Sequence, residues 1–421
     1  MQTDVLVIGA GLAGLVAGWQ AASRNHATRV IAKGWGITHW HAGCLDVLGY
    51  YPTDSQDPVA SPLEAAARLI QDNPQHPYAV VGLEALQEAV TAFQELCAEA
   101  GYPMHGRLER NWLLPSAVGA RRPTCLAPET MVAGDLSHRE PMLIVGFEPF
   151  LDFYAELIAD NLNAQGHLAR GLTLDPPSLS QHRMLTSVIL ANLLEKVEVR
   201  TEIAELIRPR LSGAARVGFP AVLGVHKALE VKRDLEQLLG VPVFEIPSLP
   251  PSVPGIRLHH ILVAAIERAG GRVFEGMQVV SAETEGRRVS GVWSEAAARQ
   301  RLHRAAWFVL ATGGILGGGI VADFDGKVRD VIFDLPVSAP PDRASWFRRD
   351  FFDPNGHPIF RSGLTVNQHL QPVNGNGQAV YENLLAAGTT LAHCDVVRER
   401  SLEGVAVATG YLAGKHSGEQ L

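Results

Sequence analysis

Between Asp4 and Asp46 the chain carries no acidic residue. Other scarcities narrow the reading further. The four cysteines (Cys44, Cys97, Cys125 and Cys394) are scattered and form no C-x-x-C, which excludes a disulfide framework and an iron–sulfur cluster held within this chain. There is no basic run and the formal net charge is −8, so nucleic acid is not an expected partner. The start has Asp4 and no basic n-region, unlike a signal peptide, and a cytoplasmic protein is expected. An uncharged run, Ala305 to Ala322, spans eighteen residues, of which five are glycines. That is the lower length limit for a membrane span, and the glycines favour a buried strand and a loop over a helix. His39 and His41 have no third ligand nearby, so no metal site is expected.

What is present is ordinary in bulk and informative in detail. With 421 residues, 47% of them apolar and 19% charged, the chain is long enough for two or three domains with a large core. It opens with Val5-Leu6-Val7-Ile8, then glycines at Gly9, Gly11 and Gly14, then an apolar stripe at Leu12, Leu15, Val16, Trp19 and Ala22. This reads as strand, tight turn and helix. Gly9 permits the turn, Gly11 lets backbone approach a pyrophosphate, and Gly14 lets helix pack on strand. The N–H groups of Leu12 and Ala13 then face an anion with the helix dipole behind them.

The second strand, Thr28 to Ala32, is followed by Lys33 and Gly34 instead of the Asp or Glu that holds an adenosine ribose in such units. Three readings stand. The ribose is held by backbone and other side chains, Lys33 meets a 2′-phosphate as in an NADP site, or the nucleotide lacks its adenosine half, as FMN does.

Next comes a glycine-punctuated loop, Gly34 to Asp46, with Gly43 and two histidines, which reads as packed on a cofactor ring. Helices are expected over Ser61–Ile70 and Leu83–Ala100. Gly101 to Glu140 shows little periodicity. A strand Met142–Val145 and a helix Leu151–Asn163 follow. Strand-like runs Leu168–Leu174 and Gly218–Leu223 bracket helices near Leu185–Lys196 and Thr201–Leu206. A helix His226–Leu239 leads to a strand at Val241–Ile246. The fold class expected is α/β, a Rossmann-like two-dinucleotide-fold flavoprotein with a discontinuous nucleotide-binding domain. Its parts are 1–103 and 255–421, with an inserted α/β domain at 104–254 that covers the cofactor. A helix from Ile256, a hairpin Gly271–Trp293 and the strand ending Ala311-Thr312-Gly313 return the chain to its first sheet. A last strand enters Gly388, and a small-residue helix begins at Gly404-Val405, with its N-terminus directed at the flavin pyrimidine.

Several stretches together resemble the B subunits of anaerobic glycerol-3-phosphate dehydrogenase, flavoproteins related to the fumarate reductase/succinate dehydrogenase type. They are Val7 to Leu15, Gly43 to Leu48, Val145-Gly146 with Asp152-Phe153, Leu249 to Leu258, Gly318 to Ala322, Asp350 to Phe352, and Glu382 to Leu384. The run Pro250-Pro251-Ser252-Val253-Pro254-Gly255-Ile256-Arg257 is the most specific. The resemblance implies oxidation of sn-glycerol 3-phosphate to dihydroxyacetone phosphate, with FMN as cofactor and FAD as the alternative. It implies two partners, the catalytic A subunit, and an iron–sulfur C subunit at the membrane that passes electrons to quinone in fumarate or nitrate respiration. This chain would then be peripheral to the inner face of the membrane through its partner. One stretch departs: the family is glycine-rich between last strand and last helix, whereas here stand Ala392-His393-Cys394-Asp395 and Arg398 to Gly404.

Arg257 is the candidate for binding a phosphate or carboxylate, or for steadying a negative flavin. His39, His41, His259 and His393 are candidates for the base that an alcohol oxidation needs. Two other functions remain open, a structural or electron-relay subunit without catalysis and an NADP-dependent reductase using Lys33.

Overall fold

A computed structural model describes residues 3–297 and 299–418. They form two compact units, one of Met1–Thr38, Asp46–Leu96 and His259–Leu421, the other of His39–Leu45 and Cys97–Leu258.

In the first unit, β1 (Val5–Ile8), α1 (Leu12–Ser23) and β2 (Thr28–Ile31) form a β-α-β unit, with β2 parallel to β1. Later segments complete the sheet: α2 (Val253–Arg268) leads to β3 (Arg272–Phe274), and β4 (Trp307–Leu310) and β5 (Leu384–Ala386) follow. The strand order is β3-β2-β1-β4-β5, parallel throughout. Val5, Leu6, Val7, Phe308, Val309 and Leu310 are wholly buried, as expected of strands covered on both faces. The last helix, α3 (Leu402–His416), packs on α1 through small residues. A Cβ on Gly410 would strike the Ala13 carbonyl, and one on Gly414 the Ala17 carbonyl.

A three-stranded antiparallel meander (Gln278–Glu285, Arg288–Ala296, Arg299–His303) precedes β4. Asn383, just before β5, ties it down: its amide donates to the Val289 and Ala306 carbonyls at 2.9 Å, and its oxygen accepts from Val289 N–H at 2.8 Å. The expected hairpin Gly271–Trp293 is therefore corrected at its start. Residues 272–274 leave the meander and join β2, because Ala32 N–H donates to the Phe274 carbonyl and Gly276 turns the chain at φ +72°. The uncharged run at 305–322 forms β4, a glycine loop and a short strand, Ile320–Ala322. No helix among the described residues is long and apolar enough to cross a membrane.

The second unit has its own four-stranded parallel sheet, ordered Val243–Ile246, Arg216–Pro220, Met142–Phe147, Ala169–Leu174. The aperiodic stretch after Gly101 contains two antiparallel pairs, Met104–Gly106 with Leu126–Pro128 and Trp112–Pro115 with Arg121–Thr124. Strands of three or four residues are too short to show an alternation. The helix expected from Leu151 starts at Ala155, after a turn. By contrast α2 starts three residues early, because the Ser252 hydroxyl caps it by accepting from Gly255 N–H at 3.0 Å.

Candidate functional site

The glycine turn between β1 and α1 is built as its spacing demands. Gly9 has φ +116°, and a Cβ there would strike the Ala311 carbonyl at the end of β4. A Cβ on Gly14 would strike the Gly9 carbonyl. Gly11 differs, since a Cβ there would meet nothing within 4 Å. Gly11 is also the N-cap residue of α1 and supplies no side-chain acceptor, and no acidic residue lies in the first turn. The N–H groups at the helix start, those of Leu12, Ala13 and Gly14, have no partner further back in the helix. Room at the Gly11 Cβ position, beside an uncapped helix start, fits a phosphate-bearing nucleotide.

Around this turn the unit gathers several of the expected residues. Ala311 and Gly313 (φ +77°) close the end of β4, and Gly319 lies so near that a Cβ there would strike Thr312. Gly388, at φ +77°, donates its N–H to Thr409 Oγ1 at 2.8 Å and faces Ala13. Lys33 and Gly34 are exposed on the loop after β2. On that loop Gly36 approaches the turn, so that a Cβ there would lie 3.0 Å from Gly11 Cα.

Gly404 and Val405 require a correction as ligand contacts. Gly404 N–H donates to the Asp46 carbonyl at 2.9 Å and Val405 N–H to the Ser401 carbonyl at 2.8 Å. The missing Cβ of Gly404 makes room for Tyr78 and Val47, so both backbone donors serve the chain itself.

The charged segment before α3 also folds inward. Arg398 donates to the Thr53 and Asp353 carbonyls at 2.7 Å each and to that of Pro354. Glu399 Oε2 lies 3.1 Å from His76 Nε2 and accepts from the Ser401 hydroxyl at 2.8 Å. Burial raises the Glu399 pKa, but the His76 hydrogen bond and charge outweigh it and the net shift is downward. His393 sits beside this segment at φ +70°, with Nε2 2.9 Å from Thr365 Oγ1. Burial and then the charge of His76 lower its pKa, so it is neutral at pH 7. A shallow open concavity adjoins, lined by Gly314, Ser362, Thr389 and Asp395 among others. Its residues come from three distant segments, and no local motif announced it.

The remaining candidates lie in the second unit. Gly43 (φ +78°) takes a place where a Cβ would strike Pro254, so it serves packing. His41 Nδ1 accepts from Gly43 N–H at 2.9 Å. Burial, then the charges of Arg122 and His39, bring its pKa down to about 3, which leaves it neutral at pH 7 but a weak base. Burial also lowers the pKa of His39, whose Nε2 accepts from Trp40 Nε1 at 3.0 Å.

Arg257 is a correction too. Its Nη1 and Nη2 donate to the two Glu245 oxygens at 2.7 and 2.8 Å, Nη1 also to Tyr102 Oη at 3.2 Å, and Nη2 and Nε to the Gly224 carbonyl at 2.6 and 2.9 Å. Burial opposes the charge, but Glu245 prevails and the pKa is raised. The carboxylate it holds is the chain's own.

A family model described as an FAD binding domain matches residues 4–404. A probable B subunit of anaerobic glycerol-3-phosphate dehydrogenase from Halobacterium salinarum is 35% identical, covering 100% of this chain and 99% of its own. The corresponding B subunit from Yersinia pestis is 32% identical over 97% and 96%. The chain belongs to the family of anaerobic glycerol-3-phosphate dehydrogenase B subunits. It is also similar to a solved 3-ketosteroid Δ1-dehydrogenase from Sterolibacterium denitrificans, at 12% identity, full coverage of both chains and a TM-score of 0.49.

Membership in this family, with its FAD binding domain, places the fold in the Rossmann-like α/β flavoprotein class. The open turn at Gly11 has the room and the backbone donors that a flavin phosphate needs, and Gly11, Leu12, Ala13 and Gly14 are the residues that would hold it. Sequence reading missed Trp35 and Glu275 on the β2 side, which hold the candidate His259. His259 is buried, its Nε2 lies 3.1 Å from Glu275 Oε1, and its ring stacks on Trp35 at 4.7 Å. Trp35 Nε1 donates to the other oxygen of Glu275.

Proposed function

We propose that this chain is the flavin-binding subunit of an anaerobic glycerol-3-phosphate dehydrogenase and takes part in the oxidation of sn-glycerol 3-phosphate to dihydroxyacetone phosphate. The observation that carries the proposal is the open, uncapped glycine turn at Gly11, in a chain that matches its B-subunit relatives along its whole length. A bound flavin supplies a two-electron acceptor for the hydride that a secondary alcohol loses on becoming a ketone. FMN and FAD both carry the phosphate this turn receives.

The chain's own part is to bind and orient that nucleotide and to offer a proton acceptor. His393 is the histidine we assign that task, because it is neutral at pH 7 and its Nε2 is already oriented by Thr365 Oγ1. The partners are the catalytic A subunit and the iron–sulfur C subunit. The iron–sulfur partner relays electrons to quinone, and through it this chain lies at the inner face of the cell membrane. The match to an FAD binding domain supports flavin over NADP as the redox partner, with Lys33 left exposed on its loop.

A second reading follows from Arg257. The cation that the sequence offered for a substrate phosphate is consumed by Glu245, which favours a subunit that carries electrons while substrate is oxidised on its neighbour. One preparation separates the two readings. The purified protein gives an absorption spectrum, its released nucleotide is identified by chromatography, and the bound flavin is titrated anaerobically with glycerol 3-phosphate. Bleaching by substrate in the absence of the catalytic partner supports oxidation on this chain. A yellow protein that bleaches only with the catalytic partner present supports the relay. A protein that stays colourless after incubation with FMN or FAD ends both.

A further inference from the structure

A carboxylate stands just past the end of β3, the strand beside β2. Phe274 of β3 pairs with Ile31 of β2, and the ladder continues past both strands: Ala32 N–H donates to the Phe274 carbonyl, and Met277 N–H to the Ala32 carbonyl, both at 2.9 Å. Glu275 is therefore level with Ala32, one strand spacing of about 4.8 Å from the tip of β2. A dinucleotide unit ordinarily places its ribose-binding acid at that tip.

Position alone would not distinguish a ligand-binding acid from a surface acid. Orientation does. The two oxygens of Glu275 are held separately, Oε2 by Trp35 Nε1–H and Oε1 by His259 Nε2, and the two rings that hold them are stacked. The side chain nevertheless remains 38% exposed. A carboxylate has about four lone-pair sites, so each oxygen keeps acceptor capacity after one bond. The clamp also reaches the glycine turn. Trp35 is followed by Gly36, whose missing Cβ permits the close approach to Gly11. Lys33, from the same loop, is exposed. A fixed, partly exposed carboxylate is thus joined by two loop residues to the phosphate-receiving turn.

From this geometry we infer that Glu275, positioned by Trp35 and His259, receives the ribose 2′,3′-hydroxyls of an adenine dinucleotide, and that this protein selects FAD over FMN. The acid directly follows β3, a strand that comes some 240 residues of chain after β2, so no acid need stand at the end of β2 itself. The inference rests on the reading that the turn at Gly11 holds a flavin nucleotide.

The test is a fluorescence-quenching titration of flavin-stripped full-length protein with FAD and, separately, FMN, followed by displacement of FAD with ADP. It is run on the wild type, Glu275→Gln and Trp35→Phe. Wild type binds FAD at least tenfold more tightly than FMN, and ADP displaces FAD. Glu275→Gln, which keeps size and can still accept from Trp35, weakens FAD at least tenfold and ADP with it. FMN changes less than twofold. Trp35→Phe loses part of the FAD preference and none of the FMN affinity. Equal affinity of the wild type for the two flavins overturns the assignment, as does an equal loss of both in Glu275→Gln. Binding of neither flavin by wild type removes the underlying reading of the Gly11 turn, an outcome distinct from loss of preference. Should Glu275→Gln fail to fold, the wild-type FAD-to-FMN ratio and the ADP displacement still decide.

Discussion

Arg257 and Glu245 form a bidentate ion pair, 2.7 and 2.8 Å across its two contacts, and both side chains are almost wholly shut off from solvent. Every guanidinium nitrogen of Arg257 donates within the second unit. Removing one partner of such a pair strands a buried charge, at a cost of about 3–5 kcal/mol. Glu245→Ala is therefore expected to lower the denaturation midpoint sharply. Arg257→Met is expected to be severe as well, since it leaves the Glu245 carboxylate unpaired. Urea unfolding checks this. A variant of full stability with weakened glycerol 3-phosphate binding would restore Arg257 as a substrate ligand.

Gly11 and Gly14 lie three residues apart and predict opposite failures. Gly11 is at φ −74°, with nothing within 4 Å of its absent Cβ, so Gly11→Ala is expected to fold with unchanged stability. Its methyl group projects into the space a phosphate needs, and flavin retention should fall at least tenfold. Gly14→Ala forces a methyl group against the Gly9 carbonyl. Overpacking of this kind costs about 1–3 kcal/mol, so this variant loses stability first and flavin only in consequence. The 450 nm to 280 nm absorbance ratio and a thermal melt, measured on both, separate the two effects.

The contrast between these glycines shows what the sequence made readable. The β-α-β start was legible because strand, turn and helix each leave a local mark, at Val5–Ile8, Gly9–Gly14 and the Leu12–Ala22 stripe. Even the absence of charge from 305 to 322 pointed correctly to a strand and a glycine loop. Contacts between distant segments leave no such mark. Glu275 looked like part of a hairpin because its pairing partner lies on β2, far earlier in the chain. Arg257 looked like a phosphate ligand because nothing near it in sequence announces Glu245 and Tyr102 as its neighbours. Gly404 looked like a flavin contact because a glycine that admits a ligand and one that admits Tyr78 read alike.

His41 sets a pH dependence whose sign is fixed by its surroundings. Its folded pKa of about 3 lies below the ordinary 6.5, so the unfolded chain takes up the proton first. Stability from this group is complete above about pH 6.5 and declines as pH falls towards 3. The slope is at most about 1.4 kcal/mol per pH unit. His41→Asn keeps an acceptor for Gly43 N–H and removes the titration. Denaturation midpoints measured from pH 7 to pH 4 should therefore fall less steeply in the variant than in the wild type. Parallel curves would mean that His41 is open to solvent and free to take up protons in the folded protein.

The charged segment before α3 stands where the sequence resemblance leads one to expect glycines, and its fate decides whether it displaces flavin or braces the fold. His76 Nδ1 accepts from Tyr78 N–H at 3.0 Å, which leaves Nε2–H to donate to Glu399. Glu399 Oε1 in turn accepts from Asp395 N–H at 3.0 Å. The segment is thus fastened to a buried imidazole, and its charges point into the protein's own hydrogen bonds. His76→Ala would leave the Glu399 carboxylate buried without its chief partner, at a cost of about 3–5 kcal/mol. The depressed pKa of Glu399 would then rise. In the wild type this carboxylate contributes stability above about pH 4.5 that is lost as pH falls through the folded pKa. In the variant burial would be the leading influence and lift the pKa above its ordinary value, so this group would lose stability as pH rises instead. Flavin content, measured at a temperature where the variant is still folded, should remain that of the wild type. Loss of flavin at full stability would instead place the segment against the cofactor.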